Sequence, residues 1–138
     1  MKMGMRVQIS RCVAELIQRA AREAAPQEAC GLLFGEAGAI FTASIEANVA
    51  ENANMHFEID PAGLFAAIRA ERAGGPRVAG YWHSHPSGDA QPSVTDAMMA
   101  APDGKLWVIA ADRRIAGWRA VTAGERHDRF DPVELELV

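Results

Sequence analysis

The chain has 138 residues, 49% hydrophobic and 23% charged, the proportions of one globular domain, which excludes a disordered chain, a collagen-like repeat and a two-domain enzyme. Fourteen basic against 18 acidic side chains leave a net charge of −4, which argues against sequence-independent nucleic-acid binding and leaves peptide, protein and small-molecule partners open. Two cysteines without a Cys-x-x-Cys pair, no signal-like opening and no run near the roughly 20 apolar residues of a membrane span predict a cytoplasmic chain with reduced thiols. Met5, Val7 and Ile9 alternate and predict a first strand. Ser10 is placed to cap a helix running to about Ala24, with Val13, Leu16, Ile17, Ala20, Ala21 and Ala24 as its apolar stripe and Pro26 at its end.

The apolar run Ala29 to Phe34 predicts a buried strand. Glu36-Ala37-Gly38 reads as a hairpin turn leading into a strand from Ala39 to about Asn48. Residues 49 to 55 read as a loop and Phe57 to Ile59 as a short extended piece. Asp60-Pro61 then opens a helix, with Leu64, Phe65, Ala67 and Ile68 on its apolar side, that stops near Gly74-Gly75-Pro76. Arg77 to His85 predicts a strand running into a polar loop. Ser93 caps a short helix through Met99, with Asp96 in its first turn. Leu106 to Ala110 and Ile115 to Val121 are strands around the turn Asp112-Arg113-Arg114, and Val133, Leu135 and Leu137 alternate as a last edge strand. The sum is a single α/β domain of the α+β type over residues 1–138.

The segment that carries chemistry is Trp82-His83-Ser84-His85-Pro86, followed by Ser93 and Asp96. Residues i and i+2 of a strand share a face, so His83 and His85 can present two imidazoles to one point while Trp82 and Ser84 face away. Two imidazoles and one carboxylate make a three-ligand zinc site with an open fourth position, and Asp96 is placed to be the third ligand. The loop from Pro86 to Pro92 is long enough to swing that helix start across the strand end. Such a site needs a base, and Glu28, at the start of an apolar strand, is the best candidate, because a carboxylate there is expensive without a partner or a task. The Ser93 hydroxyl is a candidate to hold a developing oxyanion. By itself His-x-His fits two surface histidines near a turn equally well.

Rival His-x-His families fail on spacing. A metallo-β-lactamase-like site expects an Asp where Ser87 stands, an amidohydrolase barrel needs a longer chain, and a cupin expects a Glu soon after His85. His83-x-His85-Pro86, seven residues from Pro86 to Pro92 and Ser93-x-x-Asp96, with Pro26-Gln27-Glu28-Ala29-Cys30-Gly31-Leu32-Leu33-Phe34-Gly35 upstream, resembles the JAMM (MPN+) zinc metalloprotease family. Phe57-Glu58-Ile59-Asp60-Pro61 and Val78-Ala79-Gly80-Tyr81 extend the likeness over most of the chain.

The resemblance implies a JAMM/cytidine-deaminase-like fold, a curved, mostly antiparallel sheet flanked by helices. It also implies one zinc ion held by His83, His85 and Asp96, with Glu28 as general base and later proton donor, and Ser93 as oxyanion partner. Only 42 residues follow Asp96, which resembles the compact bacterial type that trims small ubiquitin-like sulfur-carrier proteins. The implied activity is hydrolysis of a peptide or isopeptide bond near such a partner's C-terminal tail, the tail entering beside an edge strand. The alternatives are a non-catalytic MPN-type interaction scaffold and a DNA-repair-associated member, which the acidic balance weakens. No nucleic acid and no membrane are expected as partners, and the oligomeric state is not read.

The other polar residues carry blander expectations. His56 reads as a solvated or capping histidine, His127 as part of a surface charge cluster, and Arg113-Arg114 as an exposed turn pair. Cys30 reads as a small buried thiol and Cys12 as structural. Trp82, Trp107 and Trp118 read as core, and Ser84 as an outward residue with at most a substrate contact.

Overall fold

The computed structural model describes residues 5–138. Met5 falls just ahead of the first strand, β1 (Arg6–Ile9), in which Val7 and Ile9 are buried and the alternate residues exposed. Helix α1 (Arg11–Ala24) follows, with the Ser10 side chain accepting the Cys12 N–H at its start. Its residues Val13, Ala14, Ile17 and Ala20 are buried, and Val13, Ile17 and Ala20 join the main core with Val7, Ile9, Leu33, Trp82 and Val108. Then come β2 (Cys30–Glu36), β3 (Ala39–Ala43), α2 (Pro61–Arg72), β4 (Val78–Ser84), α3 (Val94–Met99), β5 (Leu106–Ala111), β6 (Arg114–Gly124) and β7 (Asp128–Leu137).

The strands close into a barrel in the order β1-β3-β2-β4-β5-β6-β7. The curved sheet expected from the sequence is therefore a closed one, with few helices rather than a clear flanking layer. Four neighbouring pairs are antiparallel, while β1–β3, β1–β7 and β4–β5 are parallel. Closure corrects a second expectation. β7 is no edge strand, because β1 pairs with it through Arg6↔Glu134 to Ile9↔Leu137. Alternation in Val133, Leu135 and Leu137 reports one inward face and says nothing about how many neighbours a strand has.

Two further differences have local causes. The strand expected to reach Asn48 ends at Ala43. The Ser44 carbonyl turns to accept the Trp82 indole N–H at 2.8 Å, and the Ser44 hydroxyl takes the Leu32 N–H at 3.3 Å in its place. This crossing needs Gly31, since a Cβ there would stand 1.9 Å from the Ser44 oxygen and 2.3 Å from Trp82 Nε1. The chain then continues through isolated bridges, Cys30↔Glu46 and Asn48↔Ile59. Helix α2 buries none of its residues, and Phe65 is 55% exposed. The periodicity thus predicted the helix correctly but overstated its burial.

The antiparallel register of β2 and β4 positions the chemistry. Cys30 lies opposite His83, and just outside the ladder the Ser84 N–H donates to the Ala29 carbonyl at 3.0 Å. One step further, Glu28 stands opposite His85. Cross-strand partners share a face, so Glu28 is delivered to the side where both imidazoles point.

Candidate metal centre and active site

His83 and His85 leave the end of β4 on one face, and α3 brings Asp96 to meet them. His83 Nε2 lies 3.0 Å from His85 Nε2 and 3.1 Å from Asp96 Oδ2, and His85 Nε2 lies 3.2 Å from the same oxygen. All three side chains are buried. Asp96 reaches this point because α3 starts with a capping box. The Ser93 hydroxyl accepts the Asp96 N–H at 3.0 Å, and Asp96 Oδ2 accepts the Ser93 N–H at 2.9 Å. That reciprocal pair fixes the carboxylate in the first helical turn.

The donor atoms fit a metal ion. His85 Nδ1 lies 2.7 Å from the Asp89 carbonyl oxygen, so it carries the hydrogen and leaves Nε2 of the neutral ring with a bare lone pair. That lone pair faces the carboxylate oxygen of Asp96, a repulsive meeting unless a positive charge lies between them. Ligands about 2.0–2.1 Å from a tetrahedral zinc ion stand about 3.3–3.4 Å apart, close to the edges of this triangle. The two rings are held differently. His83 stacks on Phe57 with ring centres 4.2 Å apart and meets Trp107 edge-on, while its Nδ1 is buried without a hydrogen-bond partner.

Glu28 completes the cluster. One ligand atom each of Glu28, His83 and His85 lie within 4.8 Å of one another, a separation that one bridging solvent molecule spans. Glu28 is 6% exposed as a residue, and its Oε1 has no hydrogen-bond partner among the described residues. Burial pushes its pKa up to about 7, with His85 opposing the rise and Asp96 adding to it. Asp96 goes the other way. Burial alone would raise it, but the close imidazoles of His83 and His85 and the hydrogen bond from the Ser93 N–H hold it well below the usual carboxylate range. Burial also lowers His83, whereas at His85 contacts with Asp96 and the Asp89 carbonyl outweigh burial and raise it.

Residues that sequence reading passed over hold this arrangement. The Asn48 side chain donates to the carbonyls of Glu28 and His56 and accepts the N–H groups of Ala50 and Glu58. The Glu28 N–H in turn donates to the Ala53 carbonyl at 2.7 Å. Ser84, expected to point outward, is buried, and its hydroxyl accepts the Ala29 N–H at 2.8 Å, fixing the residue after Glu28. Trp118 is half-buried and donates to the Ala90 carbonyl, and Arg126 donates to the Pro92 carbonyl, so β6 and its hairpin hold the loop ahead of α3. A lone Asn or Ser has no periodic signature, so only the folded geometry reveals these contacts.

The blander readings divide. Trp82 and Trp107 are core, Cys30 is buried with its thiol pushed up to about 12 by burial, and His127 is exposed. Cys12, expected to be structural, is exposed on α1. His56 is half-buried, with Nδ1 lacking a partner. No helix among the described residues is long and apolar enough to cross a membrane. Above the metal cluster opens a cleft of about 240 Å³ whose walls include Glu28, Asn54, His85, Gln91, Ser93 and Arg126.

The sequence model of a family described as prokaryotic homologs of the JAB domain matches residues 10–124. The chain belongs to this family. It is 34% identical over 86 residues to a desampylase of Haloferax volcanii, a match covering 61% of this chain and 62% of that protein, so the shared part is under two thirds of the relative. A protein of Desulfitobacterium hafniense solved in solution is 25% identical, covers 96% of this chain and 92% of its own, and superposes with a TM-score of 0.79. A structure described as JAMM, a metalloprotease-like zinc site in the proteasome and signalosome, shares the fold at 23% identity and a TM-score of 0.58, over 96% of this chain and 97% of that one. The JAMM resemblance read from the motif thus holds at the level of family and fold.

Proposed function

We propose that this chain is a zinc-dependent metallopeptidase that hydrolyses a peptide or isopeptide bond at the C-terminal tail of a small ubiquitin-like, sulfur-carrier type of protein. The observation that carries the reading is the buried triangle of two imidazole nitrogens and one carboxylate oxygen with an unpartnered carboxylate beside it. Similarity to a desampylase supports the substrate class. A scaffold role leaves the buried Glu28 carboxylate without a task.

In this reading His83, His85 and Asp96 hold one zinc ion. When bound, such an ion supplies Lewis acidity and brings the ionisation of water towards neutral pH. Glu28 accepts a proton from the attacking water and passes it to the leaving amine, a role that suits a carboxyl poised near neutrality. The Ser93 oxygen already accepts the Asp96 N–H, so its hydrogen stays free to meet the oxyanion of the tetrahedral carbonyl carbon. Each strand among the described residues has two neighbours, although β1 pairs β3 only at Ala39 and Ile40 and leaves the rest of that strand open on one side. In this reading the tail lies in the cleft lined by His85 and Ser93.

The test uses a small ubiquitin-like protein extended past its Gly-Gly end by a short peptide or a lysine-linked group. The zinc-loaded chain should release the intact carrier, read by mass. Glu28→Gln should lose turnover and keep its zinc. Unchanged turnover in that variant would overturn the assignment of the base.

A further inference from the structure

A second cleft, of about 360 Å³, opens between the C-terminal half of α1 and the β5–β6 turn. Its lining includes Arg22 of α1, Asp112, Arg113 and Arg114 of the turn, and His85, Pro86 and Ser87. Those last three residues also line the cleft that holds Glu28 and Ser93. The two clefts therefore share one short stretch of wall that includes a candidate metal ligand.

We propose that the arginine cleft is a substrate subsite for a carboxylate, carried by the polypeptide within a few residues of the bond that is cut. The proposal rests on the peptidase reading for its substrate and adds what one arm of the site selects. Three arginines and one aspartate line this cleft, on a chain whose net charge is −4. None of the three arginines has an ion-pair partner among the described residues. Guanidinium is the side chain best shaped to take a carboxylate in two parallel hydrogen bonds.

The turn itself supplies a second, independent observation. Asp112 and Arg113 stand at φ +43° and +71°, the left-handed conformation in which a two-residue hairpin turn favours Asn-Gly. An arginine at that tip is a poor choice for the backbone, so its side chain is the reason to have it. Gln18 of α1 donates to the Arg113 carbonyl at 2.9 Å, which ties the turn to the helix and keeps the cleft formed.

The His85 N–H donates to the Ala110 carbonyl near the end of β5, and the turn that carries Arg113 follows directly, so the arginines belong to the stretch of chain next to His85. The cleft is a small pocket rather than a basic stripe, so it fits a carboxylate and not a nucleic-acid backbone.

The experiment measures binding without turnover. Zinc-loaded full-length protein carrying Glu28→Gln is titrated into fluorescein-labelled peptides with a central Gly-Gly, read by anisotropy at 50 and 300 mM salt (low and high screening). One peptide bears a Glu pair within a few residues of the Gly-Gly, and a matched one bears a Gln pair. A third ends there in a free α-carboxylate, and a fourth in an amide, which separates the two sources of carboxylate.

At low salt the Glu peptide or the free-acid peptide should bind at least tenfold tighter than its neutral partner. Arg113→Asn with Arg114→Gln should erase that preference while leaving the neutral peptide unchanged, asparagine being chosen because it tolerates the turn. Arg22→Gln should reduce it in part. Equal affinities for the charged and neutral peptides, or a preference that survives the arginine changes, would overturn the proposal. So would an equally tight, arginine-dependent hold on a short DNA oligonucleotide.

Wild-type hydrolysis of the same peptides separates the two readings. Arginine-dependent binding without cleavage retains the subsite and removes the peptidase. Cleavage indifferent to charge does the reverse.

Discussion

Removing the charge from Glu28 should make the metal-free protein more stable, although the same change abolishes the proposed chemistry. The Glu28 carboxyl titrates near 7 in the fold against an ordinary value of 4.5, with burial as the main cause. At about 1.36 kcal/mol for each pKa unit, that gap is worth about 3 kcal/mol. The sign follows from the rise. Below 4.5 the group is neutral in both states and there is no penalty. Between 4.5 and about 7 the unfolded chain gives up its proton while the folded one keeps it, so stability falls as pH increases. Above 7 the whole cost is present.

Glu28→Gln has nearly the same shape and no charge to lose. It should match the wild type near pH 4.5 and exceed it by about 1–3 kcal/mol at pH 8, about 4 °C in Tm for each kcal/mol. The assay is urea unfolding of chelator-treated protein followed by tryptophan fluorescence, stepped from pH 4.5 to 8.5. Both histidines titrate in either protein, so they largely cancel in the difference. A difference that stays constant across the range would show that Glu28 is solvated and that its burial carries no electrostatic cost.

Three other outcomes are expected. Asp96→Asn keeps an oxygen to accept the Ser93 N–H but loses the ligand charge, so zinc affinity should fall at least a hundredfold with little change in helix content, read by metal competition and circular dichroism. Asn48→Ala removes two donated and two accepted hydrogen bonds around the Glu28 backbone; it should cost about 2–3 kcal/mol of stability and lower kcat more than KM, with zinc retained. Iodoacetamide should label exposed Cys12 within minutes and spare buried Cys30, whose thiol is pushed up to about 12, until the protein is unfolded; mass spectrometry counts the adducts.

The helix starts were legible because each has a local chemical signature. Ser10, Asp60 and Ser93 all accept an N–H of the turn that follows them, and such caps are written in adjacent residues. The placement of His83, His85 and Asp96 was legible for a related reason: a period of two on a strand and a capped helix start are both short-range facts. Closure of the barrel was not legible, because β1 and β7 are joined by pairings between opposite ends of the chain, such as Val7 with Leu135. The support given by Asn48, Ser84, Trp118 and Arg126 was hidden too. Each contributes through a single long-range hydrogen bond or a small set of them, and no pattern in the sequence announces such a bond.

The same register that makes the site also makes it costly in the absence of an ion. Cys30 opposite His83 carries Glu28 to within 4.8 Å of the imidazoles, and the capping box aims Asp96 Oδ2 at both of them. The fold thereby gathers electron-rich atoms at one buried point and leaves Glu28 Oε1 and His83 Nδ1 without partners. Hydrogen bonds cannot satisfy that set, since His85 Nδ1 already uses its hydrogen on Asp89. In the proposed reading a divalent cation held by His83, His85 and Asp96 would relieve the repulsion among these atoms, so metal binding is expected to add to folding stability.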